Sequence, residues 1–309
     1  MYPSRKTTLR LKILTGVTPA HKVLQPLTLG ISSIFTISRY TTAANIKINN
    51  LMNDLEKYFR LNDKRLIHKW THYFDVYDRH FSKYRNKDIV ILEIGASQGG
   101  SLQMWKDYFG DRAKIYGIDV NPNCKEMEEE NIKIFIGSQS DRKFLREVKK
   151  QIPPIDILID DGGHTMVQQI VSYEELFDAV KEDGVYLCED VHTSYWLKYG
   201  GGNKRRGTFI EHTKNLIDSL NAYHSQQKSL KVNEFTKSVF SIHYYDSIVV
   251  IEKKPLRKPI HEITGTPSFV LTSTREKPLL NARKKGAHII SSAVNKALRY
   301  LRLRGYDFE

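Results

Sequence analysis

The sequence predicts an α/β protein with a doubly wound, mostly parallel seven-stranded sheet that ends in an antiparallel hairpin. Five short apolar runs alternate with segments in which apolar residues recur at helical spacing. The runs are residues 89–95, 114–119, 132–137, 155–161 and 184–190, and the helical segments are residues 101–109, 141–150, 167–180 and 209–220. Strands that alternate with helices of this length indicate βαβ units and a parallel sheet.

Two further strand-like runs predict the closing hairpin. They cover residues 238–245 and 248–253, and only Asp246 and Ser247 separate them. A two-residue connection joins antiparallel strands, whereas parallel strands need a long crossover. The full pattern is therefore a parallel sheet with an antiparallel pair at its C-terminal end.

Charge and patterning divide the chain into segments. The formal net charge is +13, and the first 53 of the 309 residues contain no Asp or Glu. We predict a disordered basic N-terminal extension (1–51), a helical lead-in (52–87), the catalytic domain (88–253) and a basic C-terminal extension (254–309). Organelle targeting by residues 1–51, or a true start at Met52, stays open. Because the positive charge lies mainly on the extensions, we expect no nucleic-acid partner.

The lead-in is predicted to pack on the sheet, because apolar side chains recur through residues 52–85 at helical spacing. They are Leu55, Tyr58, Phe59, Leu66, Ile67, Trp70, Phe74 and Tyr77. The sequence has no apolar run of about 18 residues, so it predicts no transmembrane segment. The two cysteines, Cys124 and Cys188, fit no metal or disulfide spacing, which favours a reducing cytoplasm.

The ends of the first three predicted strands carry candidate cofactor ligands, because ligands of open α/β sheets bind beyond the carboxyl ends of the strands. The candidates are Glu93, Gly95, Ala96, Ser97 and Gly99 after the first strand, Asp119 at the end of the second, and Ser138 and Gln139 after the third. A carboxylate at Asp119 can accept hydrogen bonds from both ribose hydroxyls of a nucleoside. NAD and S-adenosylmethionine both contain a nucleoside. The loose glycine turn, which lacks a GxGxxG pattern, and the hairpin favour S-adenosylmethionine.

The fourth and fifth strands end in acidic residues followed by histidines: Asp160, Asp161 and His164, then Glu189, Asp190 and His192. Adjacent strands are about 4.8 Å apart, so Asp161, Glu189 and Asp190 are expected to converge. Such carboxylates repel one another unless a cation neutralises them or some are protonated. Oxygen ligands suit Mg²⁺ or a similar divalent cation. His164 is the candidate general base, and Asp160 is expected to orient the cofactor or the loop.

Several motifs carry a family resemblance: VILEIGASQGGSLQMW, ILIDDGGH, YEELFDAVKEDGVYLCEDVHTSYW, GTFIE and SIHYYDSIVVIEK. Over residues 70–253 they resemble the metal-dependent sugar O-methyltransferases of macrolide and rhamnosyl-antibiotic pathways and the related cephalosporin hydroxylase-like proteins. The resemblance implies a Rossmann-like class I methyltransferase fold that uses S-adenosylmethionine and Mg²⁺. It implies Asp161, Glu189 and Asp190 as metal ligands and His164 as base. Family members usually have DDGSH, so Gly163 is a departure beside these positions.

The same resemblance implies the surroundings of the two substrates. Glu93, Gly95, Asp119 and the Ser138–Gln139 loop would surround the cofactor. A mobile loop over residues 195–202 would contact the acceptor, and with His192 its candidates are Tyr195, Trp196 and Tyr199. Aromatic rings suit the apolar faces of a sugar, and the glycines at 200–202 suit a lid.

The predicted function is O-methylation of a hydroxyl on a sugar, a glycosylated metabolite or a polysaccharide. Two alternatives stay open. One is a hydroxylase-like or other Rossmann-type enzyme that uses the same carboxylates. The other is a non-catalytic nucleotide-binding protein. A homo-oligomer is also compatible with the sequence.

Overall fold

The computed structural model describes residues 52–268 and the isolated residues 293, 294 and 297. The predictions for residues 1–51, and most of those for 254–309, lie outside the described residues. Within the described part of the chain, every helix is too short or too polar to cross a membrane.

Seven strands form one sheet: β1 (Val90–Ile94), β2 (Lys114–Asp119), β3 (Ile132–Ile136), β4 (Ile155–Asp160), β5 (Val180–Cys188), β6 (Val239–Tyr245) and β7 (Ile248–Lys253). Their order is β3-β2-β1-β4-β5-β7-β6. Strands β1 to β5 are parallel, and β7 is antiparallel to both β5 and β6. This arrangement confirms the predicted fold class, including the closing hairpin.

Helices cover both faces of the sheet, as the continuous apolar strands require. Within residues 52–268 the helices are α1 (Asp54–Leu61), α2 (Tyr73–Phe81), α3 (Gly100–Phe109), α4 (Arg142–Gln151), α5 (Met166–Leu176), α6 (Phe209–Leu220) and α7 (Glu234–Ser238). Helices α1 to α3 contribute Leu55, Tyr77 and Trp105 to the core on one face. Helices α4 to α6 contribute to the second core on the other face, for example through Leu176 and Phe209.

The register brings the strand ends to one edge. Ile94 at the end of β1 pairs with Ile118 of β2 and with Asp160 of β4, and Asp160 pairs with Cys188 of β5. The residues that follow these positions therefore share the carboxyl edge of the sheet, where ligands of this architecture bind.

Two predicted elements differ from the structure. The prediction of helix throughout residues 52–85 is wrong for residues 62–72, which are not helical. Asn62 ends α1 in a turn, because its side chain accepts from the amide of Lys64 and donates to the carbonyl of Arg65. Strand β5 begins at Val180, four residues before the predicted start, because polar residues at 181–183 obscure the strand pattern.

Candidate active site

Three of the six non-glycine residues with positive φ in the described part of the chain lie at the carboxyl edge of the sheet. Ser97, His164 and Asp190 follow β1, β4 and β5 and have φ values of 46°, 57° and 53°. Non-glycine residues occupy this left-handed region infrequently, and such strain clusters at functional sites. The observed strain therefore marks the same edge that the sequence motifs predict.

The turn after β1 requires glycine for a close backbone approach. Gly95 has a φ of +96°, and a Cβ atom there would lie 2.1 Å from the backbone oxygen of Asp161. A Cβ atom on Gly100 would lie 2.3 Å from the backbone oxygen of Leu66. The glycine turn is thus packed directly against the DDGGH loop and against the segment 62–72.

Backbone amides hold the Asp119 carboxylate at the end of β2. Its Oδ2 accepts a hydrogen bond from the amide of Ser97 at 2.8 Å, and its Oδ1 accepts one from the amide of Asn121 at 2.9 Å. Each oxygen retains a further lone pair for a ligand. The carboxylate is therefore fixed in orientation beside the glycine turn.

Gln139 connects the loop after β3 to the loop after β4. Its amide nitrogen donates to Oδ1 of Asp160 at 3.0 Å, and its amide oxygen accepts from the amide of Gly163 at 2.7 Å. Ser172 also donates to Asp160. Burial raises the pKa of Asp160 to about 6, although these hydrogen bonds oppose the shift. Asp160 thus supports the DDGGH loop through its hydrogen bond with Gln139.

A cavity of about 380 Å³ opens between these loops and lies within the size range of ligand pockets. Its lining includes the predicted residues Gly95, Ala96, Ser97, Asp119, Gln139, Asp161, His164, Glu189 and Asp190. Four predicted cofactor residues are not part of its lining: Glu93, Gly99, Ser138 and Asp160. The segment 62–72 closes one side through residues 66–70.

Asp161, His164 and Asp190 form a close group of potential ligands in the cavity. One ligand atom from each lies within 4.8 Å of the other two. Nε2 of His164 lies 3.5 Å from Oδ2 of Asp190 and 4.0 Å from Oδ1 of Asp161. Nδ1 of His164 is buried and has no hydrogen-bond partner among the described residues. Such a donor set suits a divalent cation.

Lys69 provides a cation that sequence reasoning missed. Its ammonium lies 2.6 Å from Oδ2 of Asp161, 2.8 Å from Oε1 of Glu189 and 3.5 Å from Oε1 of Glu93. The side chain is 2% exposed. Burial alone lowers the pKa of Lys69, but the attraction of the three carboxylates raises it well above its ordinary value. Lys69 is therefore charged.

Glu93 and Glu189 lie deeper than their neighbours. Glu93 is fully buried, and its Oε2 accepts from the hydroxyl of Ser101 at 2.8 Å and from the indole of Trp105 at 3.2 Å. Burial raises the pKa of both glutamates despite the opposing charge of Lys69. Glu93 therefore contacts the protein interior through Oε2, and the Oε1 atoms of both glutamates face Lys69.

The lead-in also supplies Tyr73, the first residue of α2. Its hydroxyl donates to Oδ1 of Asp190 at 2.7 Å. The helical periodicity of residues 52–85 concealed both Lys69 and Tyr73, because it assigned this region to packing. The run of polar and aromatic residues at 68–70 was the available signal, together with the need of the predicted carboxylates for a cation.

The predicted acceptor residues form an aromatic row beside the cavity rather than part of its lining. The ring centroid of His192 lies 6.1 Å from that of Trp70 and 4.7 Å from that of Trp196. Tyr199 continues the row at 5.7 Å from Trp196. Tyr195 is 53% exposed. Trp70 also lines the cavity, so it joins the row to the carboxylates.

Curated relatives match part of the chain, although no family model matches it. Demethylmacrocin O-methyltransferase of Streptomyces fradiae is 36% identical over 207 residues, with 62% of this chain and 52% of that protein covered. Mycinamicin VI 2''-O-methyltransferase of Micromonospora griseorubida is 34% identical over 188 residues, with 57% of this chain and 47% of that protein covered. The chain spans about half the length of the curated relatives it matches.

Solved structures agree with these relatives. MycE methyltransferase in complex with Mg and SAH (crystal form 1) has a TM-score of 0.59 and 29% identity, over 74% of this chain and 63% of that chain. MycE with Mg, SAH and mycinamycin VI has a TM-score of 0.58 and 29% identity, over 78% of this chain and 67% of that chain. The chain therefore has the class I methyltransferase fold and is a homologue of sugar O-methyltransferases from macrolide and tetracenomycin pathways.

Proposed function

We propose that this protein is an S-adenosylmethionine-dependent O-methyltransferase, assisted by a divalent cation such as Mg²⁺. Its acceptor would be a hydroxyl of a sugar, a glycosylated metabolite or a polysaccharide. One observation carries the proposal: the ligand atoms of Asp161, His164 and Asp190 converge in the same cavity that Gly95 and Asp119 line. Both substrates of such a reaction can therefore meet at one edge of the sheet.

The methyl donor is assigned to the side of the cavity formed by β1, β2 and β3. Asp119 would bind the ribose hydroxyls through the lone pairs that its amide contacts leave free. Gly95, Ala96 and Ser97 allow the chain to approach the donor closely, and Gln139 offers polar atoms beside it. The predicted cofactor residues outside the cavity lining would support the loops that contact the donor. They are Glu93, Gly99, Ser138 and Asp160.

The cation is assigned to Asp161, Glu189 and Asp190, which offer the hard oxygen ligands that Mg²⁺ prefers. Oδ1 of Asp161 and Oδ2 of Asp190 are the carboxylate oxygens that lie nearest to Nε2 of His164. Carboxylate oxygens and Nε2 of His164 face one another here, and such a donor set fits a hard divalent cation. When bound, the cation lowers the pKa of an acceptor hydroxyl, and the donor supplies the methyl group that this oxygen attacks.

His164 is assigned as the general base. Its strained backbone and the hydrogen bond from the hydroxyl of Thr193 to its carbonyl (2.9 Å) fix the loop that carries it. Nε2 faces the carboxylates and accepts the acceptor's proton, and the imidazolium that forms is stabilised by Asp190 at 3.5 Å. The base and the proposed cation ligands therefore act on the same hydroxyl.

The aromatic row of Trp70, His192, Trp196 and Tyr199 is assigned to the acceptor, together with the exposed Tyr195. Aromatic faces pack against the apolar faces of sugar rings. Mycinamycin VI is bound in one MycE structure, which supports a glycosylated acceptor here.

Because Cys124 and Cys188 are free and buried, we also propose that the protein acts in a reducing cytoplasm.

An isotope assay tests this function. The protein is incubated with methyl-labelled S-adenosylmethionine and a panel of glycosylated acceptors, in buffer with Mg²⁺, with EDTA, and with EDTA followed by excess Mg²⁺. We expect label in a methyl ether on a sugar, loss of transfer in EDTA, and recovery with Mg²⁺. Full transfer in EDTA contradicts the role of the cation. Turnover of NAD(H) in place of methyl transfer contradicts the reaction class.

A further inference from the structure

Lys69 and Tyr73 divide the oxygens of the proposed cation ligands into two sets. Lys69 contacts Oδ2 of Asp161 and Oε1 of Glu189, and Tyr73 donates to Oδ1 of Asp190. The remaining oxygens of the two aspartates lie nearest to His164. The inner oxygens are therefore held by the lead-in, while the outer oxygens are left for an external cation.

We propose that Lys69 is a positioning residue that acts as a resident cation of this site. It keeps Asp161 and Glu189 in place when no metal is bound, and it weakens the binding of an external divalent cation. The inference rests on the proposed function for its metal, but the role of Lys69 in the metal-free protein stands on the observed contacts alone.

The charges explain both effects. Without Lys69, Glu93, Asp161 and Glu189 would share a buried region with no cation, and such carboxylates repel one another strongly. With Lys69, a fixed positive charge lies next to the cation ligands and repels a second cation. Lys69 also occupies Oε1 of Glu189, so only the second oxygen of this proposed ligand stays available to the metal. The metal is thereby kept exchangeable.

Calorimetric titration with Mn²⁺ after removal of metals by chelation measures the effect. We expect Lys69→Met to bind Mn²⁺ at least about tenfold more tightly than the wild type, because a repelling charge is lost and Glu189 is released. Lys64→Met is the matched control, since Lys64 is an exposed lysine of the same segment. It loses the same charge and is expected to keep the wild-type affinity. Unchanged or weaker binding by Lys69→Met overturns the proposal.

A second pair of variants decides the question if Lys69→Met does not fold. Lys69→Met/Glu189→Gln removes one charge of each sign, and we expect it to bind Mn²⁺ more tightly than Glu189→Gln alone. Equal affinity of these two variants overturns the proposal.

Thermal unfolding in EDTA tests the metal-free role. We expect Lys69→Met to lower Tm and Glu189→Gln to restore part of the loss in the double variant. An unchanged Tm, or no recovery, overturns the metal-free role. If the wild type takes up no Mn²⁺, the proposed function fails, but these melting temperatures still decide the role of Lys69.

Discussion

Nε2 of His164 lies 3.5 Å from Oδ2 of Asp190, although the two residues follow different strands and both have left-handed backbones. Neither conformation is favourable by itself, so the surrounding contacts must maintain both. For His164 one such contact comes from Thr193, and for Asp190 it comes from Tyr73. The pair is therefore a product of tertiary structure, and each of its supports is open to mutation.

Substitution of His164 tests the proposed base. We expect His164→Gln to lower kcat by at least about 100-fold, because general-base catalysis contributes this much or more. Binding of S-adenosylhomocysteine is expected to change little, since Asp119 lies at a different part of the cavity edge. His224→Gln, a change at an exposed histidine, serves as the control. Undiminished turnover by His164→Gln would remove the base from the mechanism.

Removal of the Tyr73 hydroxyl tests the support of Asp190. We expect Tyr73→Phe to lower the unfolding free energy by about 1 kcal/mol and to weaken Mn²⁺ binding several-fold, because the carboxylate loses a hydrogen bond of 2.7 Å. Tyr84→Phe is a matched control: its hydroxyl donates to the backbone oxygen of Asp183 at 2.6 Å, away from the cavity. It is expected to lose similar stability with no effect on Mn²⁺. Equal Mn²⁺ affinities in both variants would contradict the role of Tyr73.

The close approach at Gly95 predicts a steric effect beyond backbone strain. Gly95→Ala places a Cβ atom 2.1 Å from the backbone of Asp161, so we expect a loss of more than about 2 kcal/mol in unfolding free energy and impaired Mn²⁺ binding. Gly207 has a comparable φ of +82°, but an added Cβ there would meet no atom of residues 52–268 within 4 Å. Gly207→Ala therefore measures strain alone, at about 1 kcal/mol. Denaturant unfolding that gives equal losses for both variants would refute the steric account.

A buried histidine predicts acid sensitivity far from the cavity. His80 is 3% exposed, and burial lowers its pKa even though Glu252 at 3.1 Å opposes the shift. The folded protein therefore favours neutral His80, whereas the unfolded chain takes up a proton near pH 6.5. Stability is present above this pH and decreases as the pH falls below it.

Denaturant unfolding between about pH 7.5 and 5 measures this decrease. We expect His80→Gln to flatten the profile and the exposed control His224→Gln to leave its slope unchanged. The Glu252 carboxyl does not interfere in this window, because its pKa is lowered below 4.5 despite burial. Equal acid slopes for the wild type and His80→Gln would contradict the assignment to His80.

The strand tips were predictable because each of them is a local pattern: a short apolar run followed by a polar residue. Asp119, Asp161 and Asp190 follow directly from that rule together with the parallel order of the strands. Lys69 and Trp70 could not be placed in this way. The local sequence pattern does not distinguish a loop that lines the cavity from a helix that packs on the core. Leu66 and Trp70 fit the helical period yet are 69% and 53% exposed. Their position depends on the turn at Asn62 and on the close approach to Gly100, which are tertiary features.

The most direct test of the central claim is a calorimetric titration of the protein with S-adenosylhomocysteine in the presence of Mg²⁺, alongside Asp119→Ala. The account predicts one bound equivalent per chain, and a loss of affinity of about 100-fold or more in the variant, because two hydrogen bonds to a charged carboxylate disappear. No binding by the wild type, or equal binding by Asp119→Ala, would contradict the claim that a methyl donor occupies this edge of the sheet.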